Sequence, residues 1–269
     1  MNLPAYETLR VELRGEHLLL ATLNRPQALN ALNTQMGRDL ADLCAHLGEN
    51  AGEEAGEPRC VVLTGAGERA FCAGADLKER DGMSVEVWRS QHELFERAFV
   101  ALVECPVPFI AALNGHALGG GLELALCCDF IYAVPAARLG LPEASRGLMP
   151  GGMGTQNLPR AAGERRAKEL ILSARPFSPA EGLQWGIVNR VCEPAELVPE
   201  ALETAAAIAA NGPLAVRQAK KSIHYGLQMD LLTGYRFEIE AYNRLVDTDD
   251  RREGVRAFNE KRKPDFKGR

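Results

Sequence analysis

The stretch Asn114-Gly-His-Ala-Leu-Gly-Gly-Gly-Leu-Glu-Leu-Ala-Leu-Cys-Cys-Asp129 carries the clearest chemical potential in the chain. Gly119, Gly120 and Gly121 allow positive φ, and the apolar run Leu122 to Cys128 behind them reads as a short helix. Backbone N–H groups at a helix start have no intrahelical partner and sit at the positive end of the helix dipole, so they can bind an anion or a developing oxyanion. Glu123 follows in the first turn, a place where a carboxylate is also favoured simply by the dipole. A second junction of this kind, Phe71-Cys-Ala-Gly-Ala-Asp-Leu-Lys-Glu79, has Gly74 to release the N–H of Ala75 as the glycine run releases that of Gly120. If the two junctions face each other, two donors converge as an oxyanion hole; if not, they are independent turns. A second acid, Glu143, stands beside Pro142 ahead of the glycine-rich segment Gly147 to Gln156.

Buried strands are expected to deliver these junctions. Pro108 to Leu113 reads as the strand before the first, and Cys60 to Thr64 as the strand before the second. Leu18 to Leu23 is a further strand, closed by Asn24-Arg-Pro26. Asn33 or Thr34 can cap a helix over Gln35 to Leu47, where Met36, Leu40, Leu43 and Leu47 recur at spacings of three and four. Gly48 to Pro58, acidic and rich in small residues, reads as a solvent-exposed loop. Further along, a helix is expected over Glu86 to Val103, strands over Asp129 to Val134 and Ile187 to Val191, and an extended piece over Arg138 to Leu141. Leu158 to Leu172 reads as one helix, and Ser178 to Gly182 as a capped helix start. From Ala195 onward nearly everything is helical, with apolar stripes that suit packing against a partner. Gly65-Ala-Gly-Glu-Arg-Ala70 matches a dinucleotide-binding turn, but Phe71-Cys-Ala-Gly74 brings another turn where that fold requires a helix.

At 269 residues, 46% of them hydrophobic and with a net charge of -5, the chain is globular and presents no basic surface for nucleic acid. Its seven cysteines form no C-x-x-C pair and lie mostly in apolar runs, which suits reduced, buried thiols rather than disulfides or zinc. The N-terminus lacks the basic and apolar stretches of a signal peptide, and Glu123 and Asp129 interrupt the longest apolar region. A cytoplasmic protein with no membrane partner is expected.

Five segments in order carry a resemblance over the whole chain: Leu-Asn-Arg-Pro-Gln-Ala-Leu-Asn-Ala-Leu (23–32), Ala-Phe-Cys-Ala-Gly-Ala-Asp-Leu-Lys-Glu (70–79), Asn-Gly-His-Ala-Leu-Gly-Gly-Gly-Leu-Glu-Leu (114–124), Pro-Gly-Gly-Met-Gly-Thr-Gln (150–156) and Asp-Asp-Arg-Arg-Glu-Gly (249–254). Together they resemble the crotonase family, the enoyl-CoA hydratases and isomerases. The resemblance implies an α/β fold, with a spiral of ββα units over residues 1–194 holding an acyl-CoA site. It implies a C-terminal helical region over 195–269 that builds homotrimers or, as dimers of trimers, homohexamers. Carried over by position, the N–H groups of Ala75 and Gly120 form the oxyanion hole for a thioester carbonyl. Ala73 offers its carbonyl to adenine, and Ala28, Asp76, Leu77 and Lys78 line the coenzyme A path, with Lys78 a phosphate partner. Position 27 is Gln where many relatives have Lys. Glu123 and Glu143 match the two hydratase acids, of which isomerases in the family commonly lack one or both. The implied reaction is hydration of a 2-enoyl-CoA, with Glu143 protonating the α-carbon and Glu123 activating water. Neither metal nor redox cofactor is expected, coenzyme A being part of the substrate.

Other readings have less to stand on. Ser145 lies near Glu143, but no G-x-S-x-G elbow occurs, and the five histidines show no metal-ligand spacing. His116, among apolar neighbours, reads as structural. One branch of the family binds RNA through a lysine-rich helix, whereas Gln35 to Pro58 holds Arg38 against Asp39, Asp42, Glu49, Glu53, Glu54 and Glu57. Within the family, segments 71–80, 117–126 and 167–175 are similar to methylglutaconyl-CoA hydratases, whose substrate ends in a carboxylate. Such a group needs a cationic partner, for which Arg80, Arg89 and Arg146 are the nominees, while Met83, Trp88, Leu118 and Met149 are nominees for the acyl pocket. A short, straight ester such as crotonyl-CoA needs no such partner and is the expected substrate.

Overall fold

The computed structural model describes residues 4–49 and 57–269. The chain opens with β1 (Leu9–Leu13) antiparallel to β2 (Leu18–Leu23), and a 3-10 turn at Pro26–Ala28 leads to α1 (Thr34–Glu49). Asn33 caps α1, its Oδ1 accepting from the Met36 N–H at 2.9 Å. A ββα unit then repeats. β3 (Cys60–Gly65) and β4 (Ala70–Cys72) precede α2 (Leu77–Arg80) and α3 (Val85–Glu104). β5 (Phe109–Leu113) and β6 (His116–Leu118) precede α4 (Gly120–Leu126). β7 (Phe130–Ala133) and β8 (Leu139–Gly140) precede α5 (Gly154–Ala162) and α6 (Glu164–Ser173). The rest is α7 (Pro179–Gln184), β9 (Arg190–Val191), α8 (Leu197–Ala209), α9 (Pro213–Gly226), α10 (Leu231–Val246) and α11 (Asp249–Asn259).

In each unit the first strand joins a six-stranded sheet, ordered β1-β2-β3-β5-β7-β9, and the second joins a three-stranded sheet, β4-β6-β8. Every strand-to-strand pairing after the first hairpin is parallel, apart from a single antiparallel bridge from Leu139 to Phe177, so the chain winds as the expected spiral. Parallel strands covered on both faces are apolar throughout rather than alternating, and β3 and β5 are buried at every position. α8 packs against β2, β3, β5 and β7, placing Leu197, Ala201 and Ala205 in the same core. α10 packs on α9 and leaves Leu231, Leu232, Tyr235 and Ile239 exposed. No helix among the described residues is long and apolar enough to cross a membrane.

Several expectations change. Leu158 to Leu172 is two helices, because Gly163 takes φ 79° and ends α5 before α6 can begin. The strand expected over Ile187 to Val191 shrinks to two residues, since the N–H groups of Ile187 and Val188 donate to Gly182 O, closing the end of α7. Gly48 and Glu49 belong to α1, and Glu57 is buried rather than solvated; positions 50–56, with Glu53 and Glu54, lie outside the described residues. Asp39 is also buried, accepting from the Thr8 N–H and hydroxyl at 2.8 and 2.7 Å. β1 was not anticipated.

Candidate active site

The two glycine junctions do meet. Leu32 pairs with Ala75 in a parallel bridge, its N–H donating to Gly74 O and its carbonyl accepting from the Asp76 N–H, both at 2.8 Å. In a parallel bridge the flanking residues make the bonds, so the Ala75 N–H points away from Leu32. Gly120 is the first residue of α4, where an N–H has no intrahelical acceptor. Neither N–H donates to any group among the described residues. A Cβ built on Gly120 would stand 3.8 Å from the Ala75 nitrogen, which measures how closely the two turns approach. That approach depends on Gly121, whose Cβ would lie 2.1 Å from the Cys72 carbonyl oxygen.

Asp76 fixes the Ala75 side. Its Oδ1 accepts from the N–H groups of Lys78 and Glu79 at 3.1 and 3.3 Å, capping α2, and its Oδ2 pairs with Arg25 at 2.9 Å. Burial alone would raise the Asp76 carboxyl; Arg25 and the two N–H groups outweigh it and hold it below the ordinary value.

Glu123 is 4% exposed. Its Oε1 accepts from the N–H groups of Gly152 and Gly154 at 2.8 and 2.9 Å. Burial pushes this carboxyl up to about 7, with the Glu143 charge adding to the rise and the backbone donors opposing it. A Cβ on Gly152 would meet Phe99 Cε2 at 2.5 Å and Glu123 Oε2 at 3.0 Å, so the Phe99 ring closes the space beside the acid. Glu143 begins a 3-10 turn, Glu143–Arg146. Its Oε1 lies 2.9 Å from where a Gly119 Cβ would be, over the start of α4, and its buried Oε2 has no hydrogen-bond partner among the described residues. Burial raises this carboxyl too.

One cavity of about 750 Å³ collects these groups: Ala73, Gly74, Ala75, Leu77, Gly120, Glu123 and Glu143 line it, as do Trp88, Leu118 and Met149 and the three arginines Arg80, Arg89 and Arg146. Ala28, Asp76, Lys78 and Met83 are not in its lining. Ala28 ends the 3-10 turn before α1, and Lys78 is exposed on α2. His116 accepts the Arg138 N–H through Nδ1 at 3.0 Å, and the Ser145 hydroxyl donates to Pro142 O at 2.7 Å, so neither is poised as base or nucleophile. All seven cysteines are free and buried, and burial raises the thiols of Cys60 and Cys72 to about 12. Reading the residues alone missed Gly152 and Gly154 as the donors that hold Glu123; their segment was visible, its partner was not. An electrophile bound through an oxygen at the two free N–H groups would have one carboxyl from α4 and one from the 3-10 turn beside its reacting carbons.

Known proteins share both sequence and shape. The sequence pattern described as enoyl-CoA hydratase/isomerase matches residues 14–269. A Clostridium acetobutylicum protein named short-chain-enoyl-CoA hydratase is 41% identical over 93% of this chain and 94% of its own length. A Syntrophomonas wolfei protein named crotonyl-CoA hydratase is 38% identical over 97% and 98%. The crystal structure of an enoyl-CoA hydratase from Bacillus anthracis superposes with a TM-score of 0.93 at 44% identity, covering 98% of this chain and all of that one. By motif order, by the winding of its sheets and by these relatives, the chain belongs to the enoyl-CoA hydratase/isomerase family.

Proposed function

We propose that the protein is an enoyl-CoA hydratase, adding water reversibly across the 2,3 double bond of short 2-enoyl-CoA thioesters. The observation that carries this reading is the meeting of a buried and a half-buried carboxyl group, Glu123 and Glu143, with two unengaged N–H groups on one cavity. The thioester carbonyl accepts from Ala75 and Gly120, which draws electron density from the β-carbon. Ionised Glu123 takes a proton from water as the water oxygen bonds to that carbon. The displaced electron pair rests on the thioester oxygen as an enolate, held by the same two donors, each worth roughly 10²–10³ in rate. Neutral Glu143 then gives its proton to the α-carbon, completing the 3-hydroxyacyl ester. Proton exchange with solvent returns Glu123 to its ionised form and Glu143 to its neutral form. Burial raises both carboxyls, and the charge of Glu143 raises Glu123 further, so the pair resists being ionised together.

Coenzyme A enters as part of the substrate. Ala73 and Leu77 take its adenine and pantetheine side of the cavity, Ala28 and Lys78 lie further along its path, and Asp76 acts by positioning Ala75. The relatives named for short-chain and crotonyl esters support a short acyl group. The helical region of residues 195–269 assembles trimers or hexamers, a reading supported by exposed apolar side chains such as Leu231 at 70% and Phe258 at 84%. A cytoplasmic location suits seven free thiols. Crotonyl-CoA turnover, followed as loss of enoyl thioester absorbance with 3-hydroxybutyryl-CoA identified as product, tests the activity. A protein that only shifts the double bond of a 3-enoyl ester would be an isomerase instead. Light scattering tests the assembly, and an active monomer at micromolar concentration would show that these helices have no copy of themselves to cover.

A further inference from the structure

The turn that holds Glu123 is Gly152-Met153-Gly154, and it meets the carboxylate backbone first. A Cβ on Gly154 would stand 2.8 Å from Glu123 Oε1, as one on Gly152 would stand 3.0 Å from Oε2. Between the two glycines Met153 takes φ 73° and ψ 4°, the left-handed region that a side chain disfavours. A left-handed residue between two N–H groups aims both at one point, and this is the concavity that backbone forms around an anion. A strained turn of this kind persists only where its surroundings fix it.

On one side the Met153 side chain packs on the core. The other side depends on the Gly152 carbonyl, which belongs to the peptide between the two donors. Gly152 is buried, and among the described residues no backbone N–H donates to its oxygen. A buried carbonyl needs a donor. The Cys127 thiol faces it, with Sγ 4.0 Å from the oxygen, the long contact of a weak sulfur bond. Cys127 ends α4 four residues after Glu123, so both side chains leave the same face of the helix. Its Sγ also accepts from Asn157 Nδ2 at 3.6 Å, and the Asn157 N–H donates to Met153 O at 2.9 Å. One thiol therefore joins α4, the turn and α5. Burial, with the Glu123 charge adding to it, raises this thiol far above its ordinary value, so the sulfur keeps its proton for the bond. We propose that Cys127, steadied by Asn157, is a positioning residue for the base: it holds the Gly152 carbonyl so that the N–H groups of Gly152 and Gly154 stay on Glu123 Oε1. The role of Glu123 as base rests on the hydratase reading above; the latch rests on the geometry.

The neighbouring Cys128 supplies the contrast, being equally buried but with its thiol bonded back to Leu124 O at 3.6 Å. Slackened donors stabilise ionised Glu123 less, so it should hold its proton to higher pH. In Cys127→Ala the acid limb of kcat/KM for crotonyl-CoA should move up by roughly 0.5–1 pH unit, the effect of weakened hydrogen bonds to a charged group, with KM little changed. Cys128→Ala should lose stability without moving the limb. Asn157→Ala should move it in the same direction, and the double variant no further than Cys127→Ala alone. A limb unmoved in Cys127→Ala, one moved as far in Cys128→Ala, or an additive double variant overturns the assignment; Asn157→Ala decides if the Cys127 variant does not fold. If wild type does not hydrate crotonyl-CoA, the hydratase reading fails on its own. The latch is then decided by carbon-13 NMR of the Glu123 carboxyl, identified by its absence in Glu123→Gln, whose midpoint should rise in Cys127→Ala and stay in Cys128→Ala.

Discussion

Replacing Glu123 by Gln should stabilise the protein at neutral pH while nearly abolishing turnover. The carboxyl is 4% exposed and titrates at about 7 instead of 4.5, chiefly because burial penalises its charge. Since the folded value lies above the unfolded one, protonated Glu123 favours the folded state; that stability is complete below 4.5 and is lost as pH rises through about 7. At about 1.36 kcal/mol per pH unit, the step from 4.5 to about 7 sets a ceiling of about 3 kcal/mol on what the ionised group costs above neutrality. Glutamine carries no charge to desolvate, and its amide oxygen can accept from Gly152 and Gly154 as Oε1 does. Urea unfolding should therefore find the variant more stable than wild type by up to ~3 kcal/mol near pH 8, with the gain shrinking toward zero near pH 4.5. Crotonyl-CoA hydration, measured on the same samples, should fall by ~10²–10⁴-fold. A variant that is less stable near pH 8, or whose advantage is the same at both ends of the range, would refute the burial argument. One that keeps nearly full turnover would refute the use of two carboxyls.

Three further outcomes follow from the geometry. Glu143→Gln should cut kcat by ~10²–10⁴-fold while KM for the ester changes little, since its Oε2 holds no structural bond; a lost KM with kcat intact would make Glu143 a binding group. Gly119→Ala should fold with strain at φ 54° and push aside Glu143 Oε1, which lies 2.9 Å from the new Cβ, so kcat should drop by roughly 10²-fold; wild-type kinetics would show that Glu143 need not sit there. Asp76→Ala removes the α2 cap and the Arg25 ion pair, and denaturation should find about 2–3 kcal/mol less stability together with a lower kcat. Lost stability with unchanged kcat would uncouple Asp76 from the Ala75 donor.

Much of the site was legible because its parts are local patterns. Gly74 beside Ala75, and Gly119 to Gly121 ahead of Glu123, announce freed N–H groups by residue type, and the apolar runs of β3 and β5 read directly as covered strands. What escaped depends on partners far along the chain. Nothing near Glu123 tells that Gly152 and Gly154 will donate to it, and nothing near Asp76 names Arg25. β1 was overlooked for another reason: Leu9-Arg-Val-Glu-Leu13 is an edge strand with the apolar–charged alternation of a half-covered strand, not the continuous apolar run by which β3 and β5 stand out.

The spiral also governs how the site comes into being. Beyond the first hairpin, each strand of the large sheet pairs with one added a full turn away, so that Val61 lies against Phe109 and Tyr132 against Arg190. Contacts this distant in sequence require large loops to close first, which makes folding slow compared with the formation of single helices. Ala75 and Gly120 belong to successive turns, and the carboxyl of Glu143 arrives with a third. Helix signal should thus return early during refolding from denaturant, and hydration only after three windings have stacked, because no single turn holds a complete set of reacting groups.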